Sequence, residues 1–322
     1  MVVRYWFLAA VAVAIGLAWL VPGPGAAVSW LSMAVVPAIF LAAGLGLPAR
    51  ELGRAIRDVR LHAAIQGISF LLLPPLFVGA AWLLTALLAI PAPLGLGLIV
   101  LGCLPATITS CVVFTRQSAG DEAGAVVNAA LGNLLAIGLT PVLVLVWSGR
   151  HGGLDVLGTA LTLSWQVALP FAAGQVLRLR LGGWADHQRK LLASLANLCL
   201  VGLIWQVFSV GFARGLALSG GSLAALTGVV VGLHALALAV PWLVGRWLGL
   251  SRPQRVTLVV CASQKTAALG IPMIPLLLPG DPGLALVTVP LLLYHPIQLV
   301  TASLLAPVWA RWVAQRPAAT AQ

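Results

Sequence analysis

Lys265 sits where a charge is costly. It lies in the run VTLVVCASQKTAALGIPMIPLLL, flanked by Ser263, Gln264 and Thr266, and the whole stretch is long enough to cross a bilayer. At 1.5 Å per helical residue it falls roughly 15 Å from the start of that run. A lysine at mid-helix costs roughly 2.5–3.5 kcal/mol on insertion scales, so its retention there points to a functional site. The seven acids (Glu51, Asp58, Asp121, Glu122, Asp155, Asp186 and Asp281) all fall in loops or at the ends of apolar runs. Without a carboxylate partner, a buried ammonium must be neutralised or matched by an anion. Two chemistries follow: pairing of Lys265 with an anion, or gain and loss of its own proton.

A second apolar run, LIVLGCLPATITSCVVFT, is interrupted by Pro105 and then carries Thr107, Thr109 and Ser110. Other polar side chains in apolar runs are Gln66, Asn128, Asn133, Tyr294, His295 and Gln298. Tyr294 and Gln298 share a helical face, as roughly do His295 and Gln298. Asn133 and Thr140 also share one, whereas Asn128 and Asn133 are about 140° apart. For each of these an interhelical hydrogen bond is the competing role, and His234 reads as a structural histidine of that kind. The candidate substrate- and ion-binding set is Lys265, Gln264, Ser263, Thr266, Thr109, Ser110, Asn128, Asn133, Gln66, His295 and Gln298. No intramembrane carboxylate pair, HExxH, GxSxG or phosphate-binding loop occurs, which argues against an enzyme. Cys103, Cys111, Cys199 and Cys261 lack metal-ligand spacing, so neither a metal centre nor a cofactor is expected.

The elements that must position these residues are membrane helices. The 322 residues are 61% hydrophobic and only 8% charged, against about 25% charged in soluble domains. Ten apolar runs recur at about 5–21, 27–47, 61–90, 94–115, 123–147, 155–177, 191–211, 222–245, 256–278 and 284–310. Residues 5–21 read as a first span rather than a cleaved leader, because the run is long and bounded by Trp6 and Trp19. The GDEAG segment at 120–124 reads as a helix start. With the N-terminus in the cytoplasm, 15 of the 18 basic residues fall on the inner side. Arg150 and Arg214 fall outside and Lys265 lies within a span. The net charge of +11 thus reflects the positive-inside rule, not nucleic-acid binding. Both termini are expected in the cytoplasm, with the chain a single multi-pass domain of the cell (inner) membrane.

Ten spans divide into two fives, about 1–150 and 151–322, and an odd number per half inverts the second half. The interrupted runs are the fourth of each half. Matched breaks carrying polar residues mark the site in transporters built this way. The GDEAG-containing stretch CLPATITSCVVFTRQSAGDEAGAVVNAALGNLLAIGLTP, together with CASQKTAALGIPM, VPLLLYHPIQLV and HAAIQGISFLLLPP, resembles the bile acid:sodium symporter family, in its SBF-like branch. The resemblance covers nearly the whole chain. It implies an all-α fold of ten transmembrane helices in two inverted five-helix repeats. Spans 1, 2, 6 and 7 would form a panel, and the rest a core in which broken helices 4 and 9 cross.

The resemblance also implies two sodium sites. One would use polar residues of helices four and five with a helix-nine glutamate; the other a helix-three glutamine and the glutamate–glutamine stretch of helix nine. Carried over by position, Thr109, Ser110, Asn128, Asn133 and Gln264 keep polar character. The glutamate falls near Val260 or Cys261, Lys265 follows the glutamine, and Ser69 stands at the helix-three position with Gln66 one turn away. A lost carboxylate and a gained cation both disfavour two bound sodium ions, and Lys265 fills one cation's place in this reading. The expectation is a secondary transporter of a small organic anion by alternating access, with proton coupling or lysine–anion pairing in place of ordinary sodium coupling. The alternative is a membrane regulator of ion or calcium homeostasis without flux of its own.

Overall fold

A computed structural model of the chain describes residues 2–24, 30–46, 58–88, 90–149 and 164–315. Among the described residues every regular element is a helix. In chain order these are α1 (Val2–Leu20), α2 (Trp30–Gly46), α3 (Val59–Gly67), α4 (Leu73–Leu88), α5 (Ala92–Gly102), α6 (Ile108–Gln117) and α7 (Glu122–Ser148). They continue as α8 (Leu169–His187), α9 (Arg189–Ala213), α10 (Gly220–Trp247), α11 (Arg252–Ser263), α12 (Ala267–Leu277) and α13 (Leu284–Ala314). A π-helical turn over Ile68–Leu72 joins α3 to α4, and another over Ser164–Ala168 precedes α8. Arg50, Arg54, Arg57, Arg150 and Arg316, on which the charge asymmetry partly rests, lie outside the described residues, as does the start of the sixth run.

Helix starts carry side-chain caps that stop the chain fraying at the ends of apolar runs. Asp58 accepts from the Leu61 N–H at 3.2 Å, and Asp121 from the Gly124 N–H at 3.0 Å. Ser251 and Gln254 form a reciprocal capping box. The GDEAG segment is therefore a helix start, as its composition suggests. Pro37, Pro141, Pro241, Pro290, Pro296 and Pro307 sit inside helices that continue through them. The chain leaves the helix around Pro105 and again in the ninth run. The second interruption falls at Gln264–Thr266, and Pro272 and Pro275 lie within the helix that follows.

Among the described residues, six helical stretches are long and apolar enough to cross a membrane: Val59–Leu87, Glu122–Ser148, Lys190–Ala213, Gly220–Trp247, Arg252–Leu277 and Leu284–Ala314. Shorter apolar helices run over Ala9–Leu20, Met33–Gly46 and Ala92–Gly102. The surface is apolar where that of a water-soluble fold is polar, and polar side chains are set within an apolar core. Trp82, Trp165, Trp247, Leu71 and Leu87 are exposed, whereas Asn128, Thr140, Ser263, Gln264, Lys265 and Gln298 are buried. That surface suits lipid, and the interior must then satisfy every polar group itself. The chain is a multi-pass membrane protein.

Helices α1, α2, α8 and α9 pack on one another. The remaining helices pack around α11 and α12, whose apolar stretch is 94% buried. The two groups meet where α9 touches α12 and α13. Close backbone approaches tie each group together. A Cβ on Gly97 would stand 2.3 Å from the Val287 carbonyl oxygen, and one on Gly174 2.3 Å from that of Leu41.

Candidate functional site

Where a helix is interrupted inside a membrane protein, each freed backbone group needs a partner. The two interruptions supply partners to each other. The Thr266 N–H donates to the Pro105 carbonyl at 3.0 Å, and the Thr107 hydroxyl donates to the Lys265 carbonyl at 3.1 Å. The fourth-run and ninth-run breaks are therefore one site.

In the first break every carbonyl from Gly102 to Ala106 has a donor. Lys265 Nζ donates to Leu104 at 2.7 Å and to Gly102 at 3.0 Å. Thr140 Oγ1 donates to Cys103 at 2.8 Å, and Asn133 Nδ2 to Ala106 at 2.7 Å. The face shared by Asn133 and Thr140 thus points at the break. In the second break Gln298 clamps Lys265 from both sides. Its Oε1 accepts from the Lys265 N–H at 2.7 Å, and its Nε2 donates to the Lys265 carbonyl at 2.9 Å. Tyr294 Oη donates to the Ser263 carbonyl at 2.8 Å. With the phenol proton spent there, His234 Nδ1 donates to Tyr294 Oη at 3.0 Å, the structural role expected of that histidine.

The Lys265 ammonium has a third contact, to the Ser69 carbonyl at 3.5 Å. That carbonyl is free for a local reason. In the π turn the Leu73 N–H goes to Ile68, and the next residue, Pro74, has no N–H to give. Lys265 is 2% exposed, and its three hydrogens all face main-chain oxygens. Sequence reasoning offered neutralisation or an anion; carbonyls set free by helix breaks are a third solution.

The other candidates divide into three places. Ser263, Gln264 and Thr266 are buried in the crossover, where Ser110 Oγ donates to Gln264 Oε1 at 3.0 Å. His295 is half-buried beside them, with Nδ1 3.1 Å from Gln298 Nε2 and its ring edge-on to Phe7 of α1. Gln66 and Asn128 form a separate cluster with His62. Gln66 Nε2 donates to Asn128 Oδ1 at 3.2 Å, and Asn128 Nδ2 to His62 Nδ1 at 2.7 Å. Thr109 is exposed on the first turn of α6. His62 and the carbonyls of Gly102 and Leu104 escaped the sequence reading. A carbonyl carries no signature of its own, and His62 lies near a helix end.

The sequence profile of the SBF-like CPA transporter family matches residues 5–311. The chain belongs to that family. Sodium/bile acid cotransporter 7 of Mus musculus is 30% identical over 325 residues, spanning 97% of this chain and 94% of the relative. Its namesake in Danio rerio is 30% identical, spanning 97% and 96%. An uncharacterized protein of Pseudomonas aeruginosa is 31% identical over 289 residues, spanning 88% and 85%. As an SBF-like CPA transporter family member, the chain is a transport protein and not an enzyme. Within that family setting, the crossover holds a lysine, and Val260 and Cys261 stand buried beside it without a carboxylate.

Proposed function

We propose that the chain is a secondary active transporter of a small organic anion that works by alternating access. Helices α1, α2, α8 and α9 act as a panel against a core made of the others. Ten spans in two inverted repeats, about 1–150 and 151–322, lie in the cell membrane with both termini cytoplasmic. The mutual packing of the four panel helices and the contact between the two breaks support this reading.

One observation carries the choice of an anion. Helices α6 and α12 both start at the crossover, and neither Thr107 nor Thr266 caps its own helix with its side chain. Two helix N-termini with open N–H groups favour negative charge. Each reaches the surface at its second residue, Thr109 in one and Ala268 in the other. The names of the animal relatives point to a bile acid and sodium. A steroid carboxylate is one member of the organic-anion class, and the missing carboxylate at the crossover argues against ordinary sodium coupling.

Purified protein in liposomes, tested with a panel of radiolabelled organic anions with and without sodium and pH gradients, checks the proposal. Saturable uptake of an anion that is lost in Lys265→Met is expected. Absence of flux for every anion, with the protein folded and inserted, would overturn it.

A further inference from the structure

Three main-chain oxygens converge on the Lys265 ammonium, and none of the groups described around it is a carboxylate. Convergent carbonyls without a carboxylate are how proteins replace the hydration shell of a monovalent cation. Divalent ions are held differently, through carboxylates. Each oxygen of the cage is available for a stated reason: Gly102 ends α5 and Leu104 follows it, just before Pro105, and Ser69 faces the proline after a π turn. The lysine main chain is fixed independently by Gln298 and Thr107. Cage and tether are thus separate pieces, and the cage does not depend on the lysine side chain for its shape.

We propose that Lys265 is a tethered monovalent cation, and that shortening its side chain converts the carbonyl cage of Ser69, Gly102 and Leu104 into a binding site for a dissolved one. This deepens the transport reading, on which it rests for its place in the cycle, by naming what supplies positive charge to the crossover. It also explains how a sodium symporter's architecture can operate with a lysine in the middle.

The test is a comparison of wild-type, Lys265→Ala and Lys265→Met protein in detergent. Thermal unfolding is followed in sodium, potassium or N-methylglucamine chloride at one ionic strength. Lys265→Ala is expected to gain a saturable rise in Tm, about 3 °C or more, in sodium or potassium over N-methylglucamine. n-Propylammonium, which restores the missing atoms, should act likewise. Wild-type protein should lack this response, and so should Lys265→Met, whose side chain fills the space without charge. An equal Tm of Lys265→Ala in all the salts overturns the inference, as does a sodium response of the same size in wild type. If Lys265→Ala folds only in sodium or potassium the inference stands; if it aggregates in every salt, n-propylammonium included, the inference falls. Binding is read without flux, so its failure leaves the transport proposal in place, and cation binding without flux in any variant removes the transport proposal alone.

Discussion

At Gln298 one amide holds both main-chain groups of Lys265, at 2.7 and 2.9 Å, in a residue with no exposed surface. Gln298→Leu keeps the bulk, strands the Lys265 N–H without an acceptor and leaves its carbonyl to Thr107 alone. Each buried group left unsatisfied costs about 1–3 kcal/mol. Thr140→Val removes a single bond to the Cys103 carbonyl, and such interhelical bonds average about 0.6 kcal/mol in membrane proteins. Thermal unfolding should therefore show a clearly larger loss for Gln298→Leu; equal losses would show that the clamp contributes little. At this scale much of the site was legible in sequence. Lys265, Gln264 and Gln298 are conspicuous because a polar side chain in an apolar run has to be explained. The oxygens around Nζ were not, because every residue has a carbonyl and only the course of the backbone says which ones are free. Pro74 held the clue to Ser69, but a proline in a membrane helix reads equally well as packing.

The elements depend on small residues where backbones meet. At Gly97 in α5, a Cβ would stand 2.3 Å from the Val287 carbonyl oxygen of α13 and 2.8 Å from Pro290 Cγ. Since the nearest atom is backbone, α5 and α13 would have to part. Gly97→Ala is expected to destabilise by about 1–3 kcal/mol as overpacking. Gly228 in α10 is exposed, and a Cβ there meets nothing within 4 Å. Gly228→Ala should stabilise by about 0.4–1 kcal/mol through the unfolded chain alone. Opposite signs in denaturation midpoints would support the close approach, and a neutral Gly97→Ala would refute it. Hydropathy revealed the helices but not this contact, because a glycine looks the same whether it faces lipid or another backbone. The place of the second interruption is hidden for a similar reason. Pro272 is visible in the sequence, whereas the bonds from Gln298 and Thr107 that hold the chain open at 264–266 come from other helices.

Over the whole molecule, alternating access requires panel and core to move against each other. Phe7 of α1 lies edge-on to His295 of α13, with ring centroids 5.9 Å apart, across that boundary. In a background lacking the four native cysteines, Phe7→Cys with His295→Cys should be bridged by a bis-methanethiosulfonate cross-linker that spans the room left by the two rings, which a direct disulfide is too short to do. Flux should then stop, and a reductant should restore it; undiminished flux after complete cross-linking would show that the boundary need not slide. Bonding the positive charge to the chain also has an electrical consequence. A dissolved ion crosses once per cycle and is released, but a charge on Lys265 travels with the carrier in both directions. Carrying a monovalent anion, the moving unit is neutral; empty, it is positive. Voltage therefore acts on the empty stroke, at about 2.3 kcal/mol per charge for a full 100 mV drop. An interior-negative membrane draws the empty carrier inward, so a protein of this design discharges anions from a polarised cell more readily than it gathers them.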